Sequence, residues 1–210
     1  MYLPKHFVKG ELARLHDLIE DRVFGLLIVP GEGTPDVAHI PFVLDRGEGK
    51  HGRLRGHFAR PNPIWRAFDG RAEALAVFAG PDAYISPDWY ATPHQVPTWN
   101  YIAVHAAGRP RVLADDGGVQ RLLEDLSAQS EARLPGKKPW TVDKLTAEVY
   151  VRMRRGIVAF ELPIERSEGK WKLSQNRAPA DREGAASALE ALDDPNARAV
   201  ARAMRLLPTT

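Results

Sequence analysis

The chain has 210 residues, of which 44% are hydrophobic and 27% charged, a composition typical of globular domains. Its 29 basic and 27 acidic residues leave a net charge of +2, which is weak evidence for a nucleic-acid partner. With no cysteine, disulfides, thiolate nucleophiles and cysteine-ligated metals are excluded. We expect a single domain over residues 1–210, in the cytoplasm and without a membrane anchor, because the apolar run VFGLLIVP is shorter than the ~20 residues of a spanning helix.

The N-terminal half predicts one helix followed by strands that are joined by short turns. Leucines recur at helical spacing within residues 10–21, and Val23–Val29 has the pattern of a buried strand. Residues 37–44 and the stretch RLRGHFA flank a glycine-rich turn, which predicts a hairpin. The prolines of RPNPIWRAFDG indicate a short helix. ALAVFAGPDAYIS and TWNYIAVHAAGRPRVL predict the next strands.

The C-terminal half predicts more helix. Residues 115–132 and 141–154 have helical patterns, and IVAFELPIERSEGKWKL predicts a hairpin that turns at Ser167–Gly169. Residues 181–210 predict a helical appendage of two helices, with Asp194 as the N-cap of the second. Since the βαβα alternation of a doubly wound sheet is missing, we predict a mainly β, α+β fold. Its core is an antiparallel barrel of six to seven strands with peripheral and C-terminal helices.

Two motifs suggest chemistry without the context that the chemistry needs. Gly47, Gly49 and Gly52 spell G-x-G-x-x-G, but a strand pattern follows where a dinucleotide site needs a helix, so we interpret this stretch as a hairpin loop. The histidines are isolated rather than paired at ligand spacing, and we expect no metal site. No nucleophile elbow or Walker A loop occurs, and no catalytic residue is assigned.

The stretch PTWNYIAVHA places aromatic and polar side chains on one strand. With a period of two, Trp99, Tyr101 and His105 share one face, while Ile102 and Val104 share the other, which suits a barrel interior. The first face is large, flat and amphipathic. Such a face suits an aromatic ligand or a subunit interface.

Two further segments supply polar partners for an anionic ligand. RGHFARPNP offers His57, Arg60 and Asn62 at a strand end, and KWKLSQNR offers five hydrogen-bonding side chains within six residues. Those five are Lys172, Ser174, Gln175, Asn176 and Arg177. Arginine can bind a phosphate bidentately, lysine and serine add single bonds, and amides match the edge of a planar heterocycle. A solvated, capped strand end is the alternative interpretation of the second segment.

These motifs identify a resemblance. HIPFVLD, GHFARPNPIW, FAGPDAYISPDWY, VPTWNYIAVHAAGR and KLSQNR occur in order along essentially the whole chain, and they resemble the PaiB-like family of FMN-binding negative transcriptional regulators. The resemblance implies an FMN-binding split β-barrel, a homodimer with the flavin near the subunit interface, and promoter DNA as a partner. The residues it implies as flavin contacts are His57, Arg60, Asn62, Trp99, Asn100, Lys172, Gln175 and Arg177.

Three functional hypotheses stay open at this point. The first is an FMN-binding repressor, for which Arg152–Gly156 is the compact basic cluster, although a solvated helix end is the favoured interpretation of that cluster. The second is an FMN-dependent oxidoreductase with a nicotinamide donor, in which His57 or Tyr101 could serve as acid or base. The third is a binding protein for another planar ligand. The loop Thr92–Gln95 looks shorter than in the family, which bears on any lid over the cofactor.

Overall fold

A computed structural model describes residues 1–31 and 33–207. Nine strands and five α-helices occur in this part of the chain. The strands are β1 Val8–Lys9, β2 Phe24–Val29, β3 Asp36–Pro41, β4 Val43–Asp45, β5 Arg53–Ala59, β6 Ala74–Ile85, β7 Thr98–Gly108, β8 Arg111–Val112 and β9 Ile157–Lys172. The helices are α1 Leu12–Arg22, α2 Asp116–Glu131, α3 Ala147–Arg155, α4 Pro179–Ala191 and α5 Pro195–Arg205.

The strands form one sheet with the order β3-β2-β6-β7-β9-β5-β4, and the short strands β1 and β8 both pair with β9. The pairings of β1, β4, β5 and β8, and those of β2 with its neighbours, are antiparallel. Seven strands on one path agree with the predicted six to seven. The predicted hairpin is confirmed, because β4 and β5 pair across a turn in which Gly49 and Gly52 have positive φ.

Residues 157–172 contradict the predicted hairpin at Ser167–Gly169. They form the single strand β9, 16 residues long. Gly169 stays extended because it pairs with Lys9, next to the pair Val8 and Lys170. The sequence pattern Ser-Glu-Gly is typical of a turn. Here, however, the segment pairs with the distant N-terminal strand β1, and this long-range pairing keeps it in one continuous strand.

Local capping explains where the helices begin. Asp115 accepts a hydrogen bond from the Gly118 N–H at 2.6 Å at the start of α2, and Asp194 accepts from the Asn196 N–H at 2.8 Å at the start of α5. The predicted N-cap Asp194 is therefore confirmed. Residues 141–154 are only partly as predicted, since Val142–Lys144 is a 3-10 turn and α3 starts after the N-cap Thr146.

The chain groups into two compact units, each made of separate stretches of sequence. Unit 1 comprises Met1–Leu18, Ala79–His105 and the chain from Glu168 onward, and unit 2 comprises Ile19–Phe78 and Ala106–Ser167. The prediction of a single domain with a C-terminal appendage stays a prediction. No helix of the described chain combines the length and hydropathy that crossing a bilayer requires.

Each unit has its own buried side chains. In unit 1, α4 and α5 contribute Ala185, Leu189 and Val200 to a cluster that also contains Ile85 and Leu173. In unit 2, the core is aromatic, and the ring of Phe160 lies 5.1–5.2 Å from those of Phe58 and Phe68. Edge and stacked contacts of this kind add to the free energy gained from burying the rings themselves.

Candidate functional site

The side chains of strand β7 alternate between buried and more exposed positions, as the sequence predicts. Trp99 is 53% exposed, whereas Asn100, Ile102 and Val104 are buried. The exposed ring of Trp99 makes an edge contact with Tyr84, with the ring centroids 6.0 Å apart. The two aromatic side chains therefore form a partly solvated surface on unit 1, with their ring planes 73° apart.

The motif KLSQNR lies beside this surface. The Lys172 ammonium donates to the Trp99 carbonyl oxygen at 2.7 Å and to the Thr98 hydroxyl at 2.5 Å. An ammonium has three N–H donors, so one remains for a further acceptor. Two segments that the sequence analysis assigned to one ligand thus meet within unit 1.

Three cations of unit 1, Lys170, Lys172 and Arg177, form what we call the cation cluster. Partial burial lowers the pKa of Lys172, and the positive charges of Lys170 and Arg177 lower it further. In the described part of the chain, no carboxylate forms a salt bridge with any of the three. The Asp181 carboxylate interacts with the charge of Arg177, which leaves the cluster with more positive than negative charge and makes it a favourable place for an anion.

The other two cations of the cluster lie against aromatic rings. The Lys170 Nζ atom is 5.3 Å from the Tyr101 ring centroid and 5.6 Å from that of Tyr2, and it donates to the Tyr2 carbonyl oxygen at 3.1 Å. The Arg177 guanidinium lies 5.2 Å above the Tyr90 ring and donates to the Gln95 side-chain oxygen. Cation–π contacts hold both charges without cancelling them.

Two predicted contact residues of unit 1 are engaged by the protein itself. Asn100 is fully buried, and its amide donates to the Ser174 hydroxyl at 3.0 Å. Ser174 has a φ of +61°, so the chain turns sharply there. Gln175 braces the same turn, accepting from the Leu173 N–H at 2.7 Å and donating to the Trp171 carbonyl. Both amides therefore shape the turn that presents Arg177.

The short loop Thr92–Gln95 is tied to the same segment at both ends. The Thr92 N–H donates to the buried carboxylate of Asp181 at 2.8 Å, and Gln95 contacts Arg177. The hydrogen bond from the Thr92 N–H lowers the pKa of Asp181, and the charge of Arg177 contributes in the same direction. The loop that the sequence shows to be short is thus anchored beside the cation cluster.

The remaining predicted residues, His57, Arg60 and Asn62, lie in unit 2. The Nδ1 atom of His57 is buried and has no hydrogen-bond partner among the described residues, and burial lowers the pKa of this imidazole. Arg60 donates to the carbonyl oxygens of Arg155 and Ile157, each at 2.7 Å. Asn62 accepts from the Ile64 N–H at 3.1 Å and caps the 3-10 helix Pro63–Ala67.

Sequence reasoning missed three residues around the cation cluster: Thr98, Lys170 and Asp181. Lys170 and Lys172 are two positions apart in β9, so they lie on the same face of the strand. A prediction of one continuous strand here would have placed both lysines together. No local pattern marks Asp181 as a loop anchor. Its partner Thr92 is 89 residues away, so only the fold brings them together.

Comparison with known proteins identifies the family and agrees with the fold. A family model described as "Putative FMN-binding domain" matches residues 1–166, a span that includes His57, Arg60, Asn62, Trp99 and Asn100. The Bacillus subtilis protein named protease synthase and sporulation protein PAI 2 is 33% identical over 204 residues, covering 97% of this chain and 96% of its own.

Solved structures share the fold at low sequence identity. A conserved hypothetical protein from Mycobacterium tuberculosis aligns with a TM-score of 0.60 at 12% identity, covering 85% of this chain and 94% of its own. The FAD and heme binding protein from Mycobacterium smegmatis aligns with a TM-score of 0.54 at 19% identity, covering 83% and 78% of the two chains.

The fold and the matching family model define a flavin-binding protein of the split-barrel class, as the antiparallel pattern and the motifs predict. Within this class, the chain belongs to the PaiB-like family of FMN-binding proteins, and FMN is its cofactor. The residues present fit that cofactor, because the cation cluster offers N–H donors and an excess of positive charge to a phosphate.

Proposed function

We propose that this chain is an FMN-binding negative transcriptional regulator, and that the FMN phosphate binds at Lys172 and Arg177. The observation that carries the phosphate assignment is the Lys172 ammonium, which donates to two neutral oxygens and is flanked by two further cations. A dianionic phosphate would satisfy the third donor and relieve the repulsion among the cations. Full-length similarity to the Bacillus relative, whose name refers to protease synthesis and sporulation, supports the regulatory role.

The cofactor arrangement follows from the positions of the other side chains. Trp99 and Tyr84 offer a partly exposed aromatic surface beside Lys172, which suits the isoalloxazine ring. Asn100 and Gln175 act indirectly, since their amides hold the turn at Ser174. FMN when bound supplies electron-transfer chemistry, while these residues bind it and orient it.

Paired titrations of the purified protein with FMN and with riboflavin test the phosphate site, because riboflavin lacks the phosphate. Lys172→Ala removes one charge-assisted hydrogen bond, so we expect the Kd for FMN to rise about 10- to 100-fold while the Kd for riboflavin stays unchanged. Lys138→Ala, at an exposed lysine of unit 2, serves as the control. If Arg60→Ala abolishes the preference for FMN and Lys172→Ala does not, the phosphate binds elsewhere.

A homodimer is part of this proposal. In unit 2, β2 and its neighbours present an outward apolar face made of Phe24, Leu26, Ile28, Val37, Leu75 and Val77. Phe24 is 57% and Val37 53% exposed, and a second copy of the chain would cover them. Phe24→Asp would then shift sedimentation from dimer to monomer, whereas Leu134→Asp, at an exposed position elsewhere, would not. A wild-type protein that sediments as a monomer even at high protein concentration would contradict this proposal. So would a Phe24→Asp variant that stays dimeric.

Binding of promoter DNA is the output that we propose for the regulator. Arg152 and Arg155 are exposed at the C-terminal end of α3, whereas the charge of Arg154 is neutralised by Asp116 at 3.0 Å. Arg152→Ala/Arg155→Ala should weaken binding and lower the slope of log K against log salt by about 2, with Arg154→Ala as the control. The regulatory proposal fails if no salt-dependent binding to promoter DNA is detected.

An FMN-dependent oxidoreductase is the second candidate function. It is favoured by His57, whose buried Nδ1 atom has no partner in the described chain and whose lowered pKa keeps the imidazole neutral. A neutral imidazole can accept or donate a proton during a redox reaction. Anaerobic mixing with NADH or NADPH tests this candidate: loss of the visible flavin absorbance in the wild type, slowed in His57→Asn, supports it. Unchanged absorbance with both donors contradicts it.

A further inference from the structure

Tyr90 carries a buried hydroxyl for which the described residues provide no hydrogen-bond partner. The residue is only 9% exposed, and its Oη atom has no hydrogen-bond partner within the described chain. It belongs to the apolar cluster of unit 1, together with Ile85, Leu173 and Met204. A phenylalanine would fill the same volume without an unpaired polar atom. Buried polar groups without partners are rare in folded proteins, and each one calls for an explanation.

The surroundings of Tyr90 point to an anionic ligand. The Arg177 guanidinium lies over its ring at 5.2 Å, and the charge of Arg177 acts on Lys172. A phenol hydroxyl can donate a hydrogen bond. A hydroxyl that has no acceptor among the described residues therefore lies beside a group of cations that forms no salt bridge in that part of the chain, and a phosphate oxygen would bind both.

We propose that the Tyr90 hydroxyl is a third contact of the anion held by Lys172 and Arg177, and that this anion is the FMN phosphate. The proposal rests on the phosphate site proposed above. It adds a residue that the sequence pattern does not mark as a ligand contact. It also gives the buried hydroxyl a function, since the cost of leaving it unpaired in the free protein is recovered when FMN binds.

The loop that follows Tyr90 is bonded to Arg177 and to Asp181. Gln95 accepts a hydrogen bond from Arg177, and the Thr92 N–H is held by Asp181. Gln95 occupies one of the five N–H donors of Arg177, so a phosphate that binds through the same nitrogen takes the place of this neutral acceptor. Gln95→Ala should therefore raise the association rate of FMN in stopped-flow fluorescence quenching, and an unchanged or lower rate contradicts this exchange.

Tyr90→Phe tests the main proposal through two measurements: the stability of the free protein should increase, while the affinity for FMN should decrease. The free protein should unfold at a temperature about 2–4 °C higher, because an unpaired buried hydroxyl is removed. The Kd for FMN should rise about 10-fold, and the Kd for riboflavin should stay unchanged. Tyr150→Phe is the matched control: its hydroxyl is also buried without a partner, but it lies on α3 in unit 2. It should raise the unfolding temperature and leave FMN binding unaltered.

Each other outcome contradicts the proposal. Unchanged FMN affinity in Tyr90→Phe means that the hydroxyl does not reach the ligand, and equal losses for FMN and riboflavin mean that it contacts another part of the molecule. A lower unfolding temperature means that the hydroxyl is already paired in the free protein. If Lys172→Ala abolishes the preference for FMN but Tyr90→Phe retains it, the phosphate site stands and only the role of Tyr90 fails.

Discussion

Lys172 and Trp99, which are 73 residues apart in the sequence, are joined by a hydrogen bond of 2.7 Å from the Lys172 ammonium to the Trp99 carbonyl oxygen. This contact joins β7 to the C-terminal end of β9, so the aromatic side chain of Trp99 and the cation cluster lie together within unit 1. The stretch PTWNY therefore does more than fill the core. Its buried face packs inside the protein, while its exposed face and backbone carbonyl meet the cation cluster.

Thr98→Val should weaken FMN binding by changing the position of Lys172. The Thr98 hydroxyl accepts from the Lys172 ammonium at 2.5 Å, and valine has the same shape without the acceptor. We expect the Kd for FMN to rise about 3- to 10-fold, with the Kd for riboflavin unchanged. Thr98→Ser retains the hydroxyl and should restore wild-type affinity. Weakening by serine but not by valine would indicate loss of packing instead of loss of the hydrogen bond.

Asp181→Asn should remove a pH-dependent part of the stability. The pKa of Asp181 is lowered in the folded protein by the hydrogen bond from the Thr92 N–H, so the carboxylate stabilises the fold at pH values above its unfolded pKa of about 3.9. This contribution is lost as the pH falls through the lowered pKa. The wild type should exceed Asp181→Asn in urea midpoint at pH 7, and the gap should narrow below about pH 4. A gap that is independent of pH would contradict the assignment.

Gly184→Ala should destabilise the protein although alanine favours helix. A Cβ atom at this position of α4 would lie 2.3 Å from the Trp89 carbonyl oxygen, so α4 or the segment Pro87–Trp89 must move. We expect a loss of about 1–3 kcal/mol in the free energy of unfolding, measured by urea denaturation. Gly117→Ala, near only flexible side chains in α2, should be neutral or stabilising by up to about 1 kcal/mol. Equal changes in the free energy of unfolding for the two variants would show that α4 can shift away from Trp89 at little energetic cost.

Asp45→Asn should cost more stability than Asp125→Asn, although both carboxylates bind Arg55. Asp45 contacts Arg55 at 2.6 Å and Arg53 at 2.9 Å, and its side chain is 20% exposed. Burial raises its pKa, but the hydrogen bonds from Arg55 and Arg53 outweigh burial and lower it. We expect a loss of about 2–3 kcal/mol for Asp45→Asn.

Asp125 is the matched comparison because it contacts the same guanidinium at 2.7 Å but is 48% exposed. A pair that is open to solvent contributes about 0–1 kcal/mol. Urea denaturation at pH 7 measures both variants. A larger loss for Asp125→Asn than for Asp45→Asn would show that the attachment of α2 depends on Asp125 more than burial suggests.

Much of the fold could be predicted from the sequence where local chemistry determines it. The alternation in TWNYIAVHA predicted which side chains of β7 are buried, and Asp194 followed by proline predicted the start of α5. The hairpin predicted at Ser167–Gly169 was wrong because the structure there depends on distant residues. A turn-like composition was outweighed by pairing with a strand about 160 residues earlier, which no local window contains.

The sequence by itself determined the β alternation, the helix caps and the motifs that identify the family, because each depends on residues a few positions apart. Only the tertiary structure decided what those residues contact. It joined Lys172 to Trp99, buried Asn100 against Ser174, and left the hydroxyl of Tyr90 without a partner under Arg177. Contacts of this kind depend on long-range packing, and the free energy of a charge or a hydroxyl is set by its surroundings and not by its place in the chain.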